Sequence, residues 1–170
     1  MTTRGIDHIG VTVPDIDQAT AFFTQALGAQ TLYDTLPKED GPKTGDQLDQ
    51  RLGVPQGTDQ IAIRMLRLPN GPGLELFEFW GPRQDSAAIP SDIGWQHVAF
   101  YTDDLDSSLA AVIAAGGTAL GYPKQLPSLE AGPHNRFVYC RTPWGSTLEL
   151  ISYPDVQPYT AKTDARRWTP

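Results

Sequence analysis

Apolar and polar residues alternate over residues 5 to 13, with Ile9, Val11 and Val13 on one face and His8, Gly10 and Thr12 on the other, which predicts a half-buried strand. The period then changes. Ala19, Phe22, Phe23, Ala26 and Leu27 form a stripe at helical spacing, opened by Asp15 and Gln18 as a capping box and stopped at Gly28. The stripe and the apolar strand face are complementary, so the helix is expected to pack on the strand. A shorter strand is predicted near 30 to 35, and strands at 60 to 68 and 73 to 80 form a hairpin through Asn70-Gly71. Between them, residues 36 to 59 are rich in Pro, Gly and charge and read as a long loop with a short helix at 47 to 52.

The pattern then recurs. Laying His97 over His8, an offset of 89 (97 − 8), sets Val98 to Asp106 against Ile9 to Asp17 and Gly116-Gly117-Thr118 against Leu27-Gly28-Ala29 without a gap. Leu148-Glu149-Leu150-Ile151 resembles Leu74-Glu75-Leu76-Phe77 at an offset of 74 (149 − 75), so the first half carries 15 extra residues (89 − 74), which fall in the 36 to 59 loop. The second half is expected to have a strand at 94 to 102, a helix at 104 to 115, and strands near 118 to 122, 136 to 141 and 146 to 153. The last two are joined by Thr142-Pro143-Trp144-Gly145.

Each half is therefore strand, helix, then three strands. Units of about 75 residues are too small to stabilise themselves well, so the two are expected to pair their sheets, helices outside and a shared concavity inside. The organisation predicted is one α+β domain over 1–153, with module one at 4–80, a linker at 81–92, module two at 93–153, and a loosely attached tail at 154–170.

Composition narrows the partners. With 13 Lys plus Arg against 20 Asp plus Glu the net charge is −7, and the basic residues are scattered apart from Arg166-Arg167, which argues against nucleic acid and anionic membrane. One cysteine, Cys140, excludes an internal disulfide and a multi-thiolate metal site. The first residues lack the apolar run of a signal peptide and no apolar stretch approaches the roughly 20 residues of a membrane span, so a cytoplasmic protein is expected.

Strand parity points to the chemistry. His8, His97, Glu75 and Glu149 each sit opposite the aliphatic face of their strand, at equivalent places in the two halves. Two imidazoles and two carboxylates suit a divalent ion, whose charge the carboxylates balance. Glu78 competes with Glu75 but shares parity with Leu74 and Leu76, which marks it as structural or salt-bridged.

At these residues the sequence resembles the vicinal oxygen chelate superfamily, which includes glyoxalase I, methylmalonyl-CoA epimerase, extradiol dioxygenases and the fosfomycin and bleomycin resistance proteins. The resemblance runs over residues 4 to 154, through Asp7-His8-Ile9-Gly10-Val11, Leu74-Glu75-Leu76-Phe77-Glu78, Trp95-Gln96-His97-Val98 and Pro143-Trp144-Gly145-Ser146-Thr147-Leu148-Glu149. It implies two tandem βαβββ modules forming one curved eight-stranded sheet around a metal-binding concavity. The implied ligands of one divalent ion (Zn, Ni, Co, Mn or Fe) are His8, Glu75, His97 and Glu149, and a homodimer is implied as well.

Glu75 at the second ligand position is closer to glyoxalase I and the isomerases than to extradiol enzymes, which use two His and one carboxylate. The expected activity is a metal-dependent isomerase, epimerase or lyase. It would abstract a proton next to the carbonyl of a small-molecule substrate, with Glu149 or Glu75 carrying the proton. Trp95, Tyr101, Phe77, Phe79, His134 and Arg136 are the candidate substrate contacts. The rival readings are a ring-cleaving dioxygenase and a non-catalytic small-molecule binding or resistance protein.

Overall fold

The computed structural model describes residues 3–169, and the chain divides into two compact units, one up to Ser86 and one from Ala87. The first unit contains strand β1 (His8–Val13), helix α1 (Ile16–Leu27), strand β2 (Gln30–Leu36), helix α2 (Asp46–Leu52) and strands β3 (Asp59–Arg67) and β4 (Gly73–Trp80). Its four strands are ordered β1-β4-β3-β2, with β1 parallel to β4 and the other pairs antiparallel. The second unit repeats the plan with strand β5 (Val98–Tyr101), helix α3 (Leu105–Ala114) and strands β6 (Thr118–Ala119), β7 (Lys124–Gln125), β8 (Arg136–Arg141) and β9 (Thr147–Ser152). Its order is β5-β9-β8-β6, with β7 also on β8 and β5 parallel to β9.

The α+β class and the duplicated βαβββ plan are present, as two mixed sheets of four and five strands. The count exceeds the eight expected because the strand anticipated at 118 to 122 is reduced to Thr118–Ala119, and a further two-residue piece beyond it, Lys124–Gln125, pairs separately with β8. The strand anticipated at 94 to 102 begins only at Val98; ahead of it Ile93 and Trp95 are fully exposed, so their alternation answers to no buried face.

The cores follow strand parity. Val13, Leu74 and Leu76 are buried with Ile16, Ala19, Phe22 and Phe23 of α1, while Val138, Cys140, Leu148 and Leu150 are buried with Leu105 and Val112 of α3. Burying a side chain of this size stabilises the fold by about 1.5–3 kcal/mol. Helix α1 begins where Asp15 accepts from the amides of Asp17 and Gln18, and ends at Gly28, whose φ of 67° is left-handed. Glu78 is structural: its Oε2 accepts from the Ile16 amide at 2.8 Å and meets Lys38 Nζ at 3.0 Å, satisfying an N-terminal amide of α1 from the neighbouring sheet. No helix among the described residues is long and apolar enough to cross a membrane.

The C-terminal segment is more firmly attached than its composition suggests. Gln157 is buried, Tyr153 Oη donates to the Trp168 carbonyl at 3.1 Å, and the Arg167 amide donates to Tyr159 Oη at 2.9 Å. Fully buried Asn135 donates to the carbonyls of Glu130 and Asp155 and accepts from the Asp155 amide, which fixes where the segment leaves β9.

Candidate functional site

Each unit presents one histidine facing one glutamate. In the first, Gly10 of β1 pairs with Glu75 of β4, and His8 Nε2 stands 3.2 Å from Glu75 Oε2. In the second, Ala99 of β5 pairs with Glu149 of β9, and His97 Nε2 stands 3.0 Å from Glu149 Oε2. The equivalence follows from the repeat, since each histidine enters or precedes the first strand and each glutamate lies on the parallel strand beside it.

The other ring nitrogen is held by the preceding residue in both cases. His8 Nδ1 donates to Asp7 Oδ2 at 2.8 Å, and His97 Nδ1 donates to Gln96 Oε1 at 2.8 Å. The Gln96 amide nitrogen is itself spent on the Pro90 carbonyl at 3.1 Å, which turns its oxygen to the imidazole. Both partners are oxygen acceptors, so Nδ1 carries a proton and Nε2 is the nitrogen turned to a carboxylate. The gap between Nε2 and the carboxylate is bridged by a proton or by a cation. An imidazole oriented from behind and a carboxylate beside it are a donor set that suits a divalent metal ion. Among the described residues no three His, Cys, Asp or Glu side chains gather as one group, so each module by itself supplies two such donors.

The electrostatics of the pairs differ. Burial pushes the Glu149 carboxyl above its usual value, outweighing the nearby His97 that pulls it down. His8 is raised, first by its hydrogen bond to Asp7 and then by the charge of Glu75. The Glu149 side chain is about 10% exposed and that of Glu75 20%, so the second pair is the more desolvated of the two.

The remaining candidates separate. Phe77 and Phe79 share the face of Glu75 and stack in parallel at 5.9 Å, and a Cβ at Gly10 would press on the Phe77 ring at 3.3 Å. Tyr101 lies on the His97–Glu149 face, edge-on to Tyr153 at 4.8 Å. Arg136 does not: its parity is that of buried Val138 and Cys140, and it turns to the first turn of α3, where Nη1 donates to Asp106 Oδ2 at 3.0 Å. His134 is tied to Asp155 at 3.2 Å in an exposed loop. Trp95 is fully exposed outside the strand.

Tyr139 joins the site without having been singled out from the sequence. It pairs with Glu149 in the β8–β9 ladder and stands edge-on to the His97 ring at 5.2 Å, and burial together with the Glu149 charge raises its phenol. Its alternation with Val138 and Cys140 was the available signal. Further along the same face, Ala99, Tyr101, Ile151 and Tyr153 line a cavity of about 270 Å³, closed from the tail by Arg167 and Trp168. The Arg167 guanidinium lies 4.7 Å over the Tyr153 ring and pairs with Glu130.

Residues 5–150 match the family described as the Glyoxalase/Bleomycin resistance protein/Dioxygenase superfamily. The chain is 38% identical to a protein from Actinomyces sp named 2-epi-5-epi-valiolone epimerase, over 100% of this chain and 94% of that protein. Among solved structures it is similar to a glyoxalase family protein from Bacillus cereus (TM-score 0.68, 18% identity, 89% of this chain and 95% of that one). It is also similar to a fosfomycin resistance protein from Listeria monocytogenes (TM-score 0.57, 16%, 89% and 94%). A mutant of glyoxalase I from Zea mays matches with a TM-score of 0.58 at 21% identity, over 86% of this chain and 46% of that one. At these identities the structures establish the fold alone.

Proposed function

The chain belongs to the Glyoxalase/Bleomycin resistance protein/Dioxygenase superfamily, and from that premise we propose that it is an epimerase that inverts a stereocentre next to the carbonyl of a hydroxylated ketone. The observation that carries this reading is the Glu149 carboxylate, desolvated and set 3.0 Å from an imidazole whose far nitrogen is fixed by Gln96. A carboxyl made more basic by burial is matched to taking a weakly acidic proton near neutral pH. The substrate class draws support from the Actinomyces relative, whose name specifies both an epimerase and a ketone.

In this reading Glu149 takes the proton from the carbon beside the carbonyl. Inversion also needs an acid to return it, and Glu75, the equivalent residue of the repeat, is the second carboxylate assigned to the reaction. His8, Glu75, His97 and Glu149 are the residues assigned to divalent-ion binding. When bound, such an ion supplies Lewis-acid polarisation of the carbonyl. Asp7 and Gln96 keep Nε2 of each imidazole free to serve as a donor. The working form proposed is a cytoplasmic homodimer acting on a small molecule.

The test is proton exchange in D2O with 2-epi-5-epi-valiolone, followed by NMR on protein loaded with each candidate metal in turn. The expected result is deuterium uptake next to the carbonyl together with epimer formation, and a loss of roughly a hundredfold or more in rate for Glu149→Gln. Wild-type protein that neither exchanges nor epimerises with any of the metals overturns the assignment, as does a Glu149→Gln variant of undiminished rate.

A further inference from the structure

We propose that the cavity between the β5–β9 face and the C-terminal segment is a subsite for a neutral, polyhydroxylated ring, with Trp168 and Tyr101 as its specificity-determining residues. The identity of the reacting group rests on the epimerase reading; the chemistry of the subsite rests on its own walls.

Three features define that chemistry. The floor is aromatic and apolar, with Tyr101 and Tyr153 edge-on to one another beside Ala99 and Ile151, and Trp168 on the tail side is 63% exposed. Such a surface favours the C–H faces of a saturated ring, and a ligand that covers Trp168 removes apolar area from water. Polar groups stand at the margin. The Tyr101 hydroxyl has no hydrogen-bond partner among the described residues, and Arg167 brings a fork of donors held in place over Tyr153. Hydroxyl groups around a ring can donate to and accept from both.

Charge decides between neutral and anionic ligands. The one cation in the wall, Arg167, is already paired with Glu130, so this wall carries no uncompensated positive charge to meet a phosphate or carboxylate. A charge-balanced arginine and carboxylate beside aromatic rings is a setting for a polyol. The subsite also adjoins the reacting groups, since Ala99, which lines it, is the ladder partner of Glu149. A volume of about 270 Å³ is enough to hold a single small ring.

Calorimetric titration with myo-inositol, which has no ketone and cannot react through an enolate, reads binding apart from turnover; 2-epi-5-epi-valiolone and an inositol phosphate complete the series. Inositol is expected to bind the wild type, about tenfold more weakly to Trp168→Ala and several-fold more weakly to Tyr101→Phe, with circular dichroism unchanged in both. The KM for 2-epi-5-epi-valiolone should rise in parallel. Equal inositol affinity in all three proteins with turnover intact overturns the subsite and leaves the epimerase standing. Trp168-dependent inositol binding without any epimerisation supports the subsite and removes the epimerase reading. Binding of the phosphorylated inositol alone overturns the neutral-ligand assignment.

Discussion

His8 and His97 are oriented in the same way by different neighbours, and the difference sets how much each neighbour contributes. Asp7 is 94% exposed, so its charge is screened by water and salt, whereas Gln96 works through a neutral hydrogen bond beside a half-buried ring. Replacing Gln96 by Leu should free Nδ1, allow the other tautomer, and weaken divalent-metal affinity by about tenfold, with Gln96→Glu restoring it. A competition titration against a chromophoric chelator measures this, and an unchanged affinity for Gln96→Leu would show that the orientation is immaterial. Asp7→Ala should cost less. The two histidines and two glutamates were legible because alternation along a strand assigns faces without knowledge of the fold. Arg136 shares the parity of Val138 and Cys140, and its side chain turns to Asp106 rather than to the face of Glu149. Trp168 and Arg167 were out of reach, since only the backbone path of the tail brings them to Tyr153.

Around the N-terminus of α1, a set of charges joins three elements. Asp15 and Glu78 accept from its first amides, Lys38 meets Asp15, Asp17 and Glu78, and Arg64 of β3 reaches Asp17 and Asp34. The carboxyl of Asp15 is held below its ordinary value chiefly by the Gln18 amide, and that of Asp17 chiefly by Arg64. Groups with a depressed folded-state pKa stabilise the protein above their unfolded pKa and lose that contribution as the pH falls through the folded value. Thermal midpoints should therefore fall on acidification from about pH 5 to about pH 3, less steeply in Asp15→Asn. Asp15→Ala should cost about 1 kcal/mol of stability at neutral pH, read by chemical denaturation. Helix α1 and strands β8 and β9 stand out in the sequence because capping residues and a Pro-Trp-Gly turn bound them. The interruption between β6 and β7 does not, because it is set by which residues β8 has left to pair.

The two units are joined by residues 81 to 97, which contain neither helix nor strand, and Arg83 within them is 78% exposed on its side chain. Limited trypsin digestion should cut first after Arg83, giving two fragments of nearly equal mass by mass spectrometry; a first cut inside either sheet would contradict the division. The second unit holds the molecule's lone thiol, and Cys140 is wholly buried in β8, its thiol pushed up to about 11 by burial. A sulfur that is neither deprotonated nor reachable in the native fold is silent towards alkylating reagents. It becomes a stopwatch only when β8 leaves its sheet, so the rate at which native protein takes up a maleimide measures, without any engineered label, how often the module carrying Glu149 comes apart.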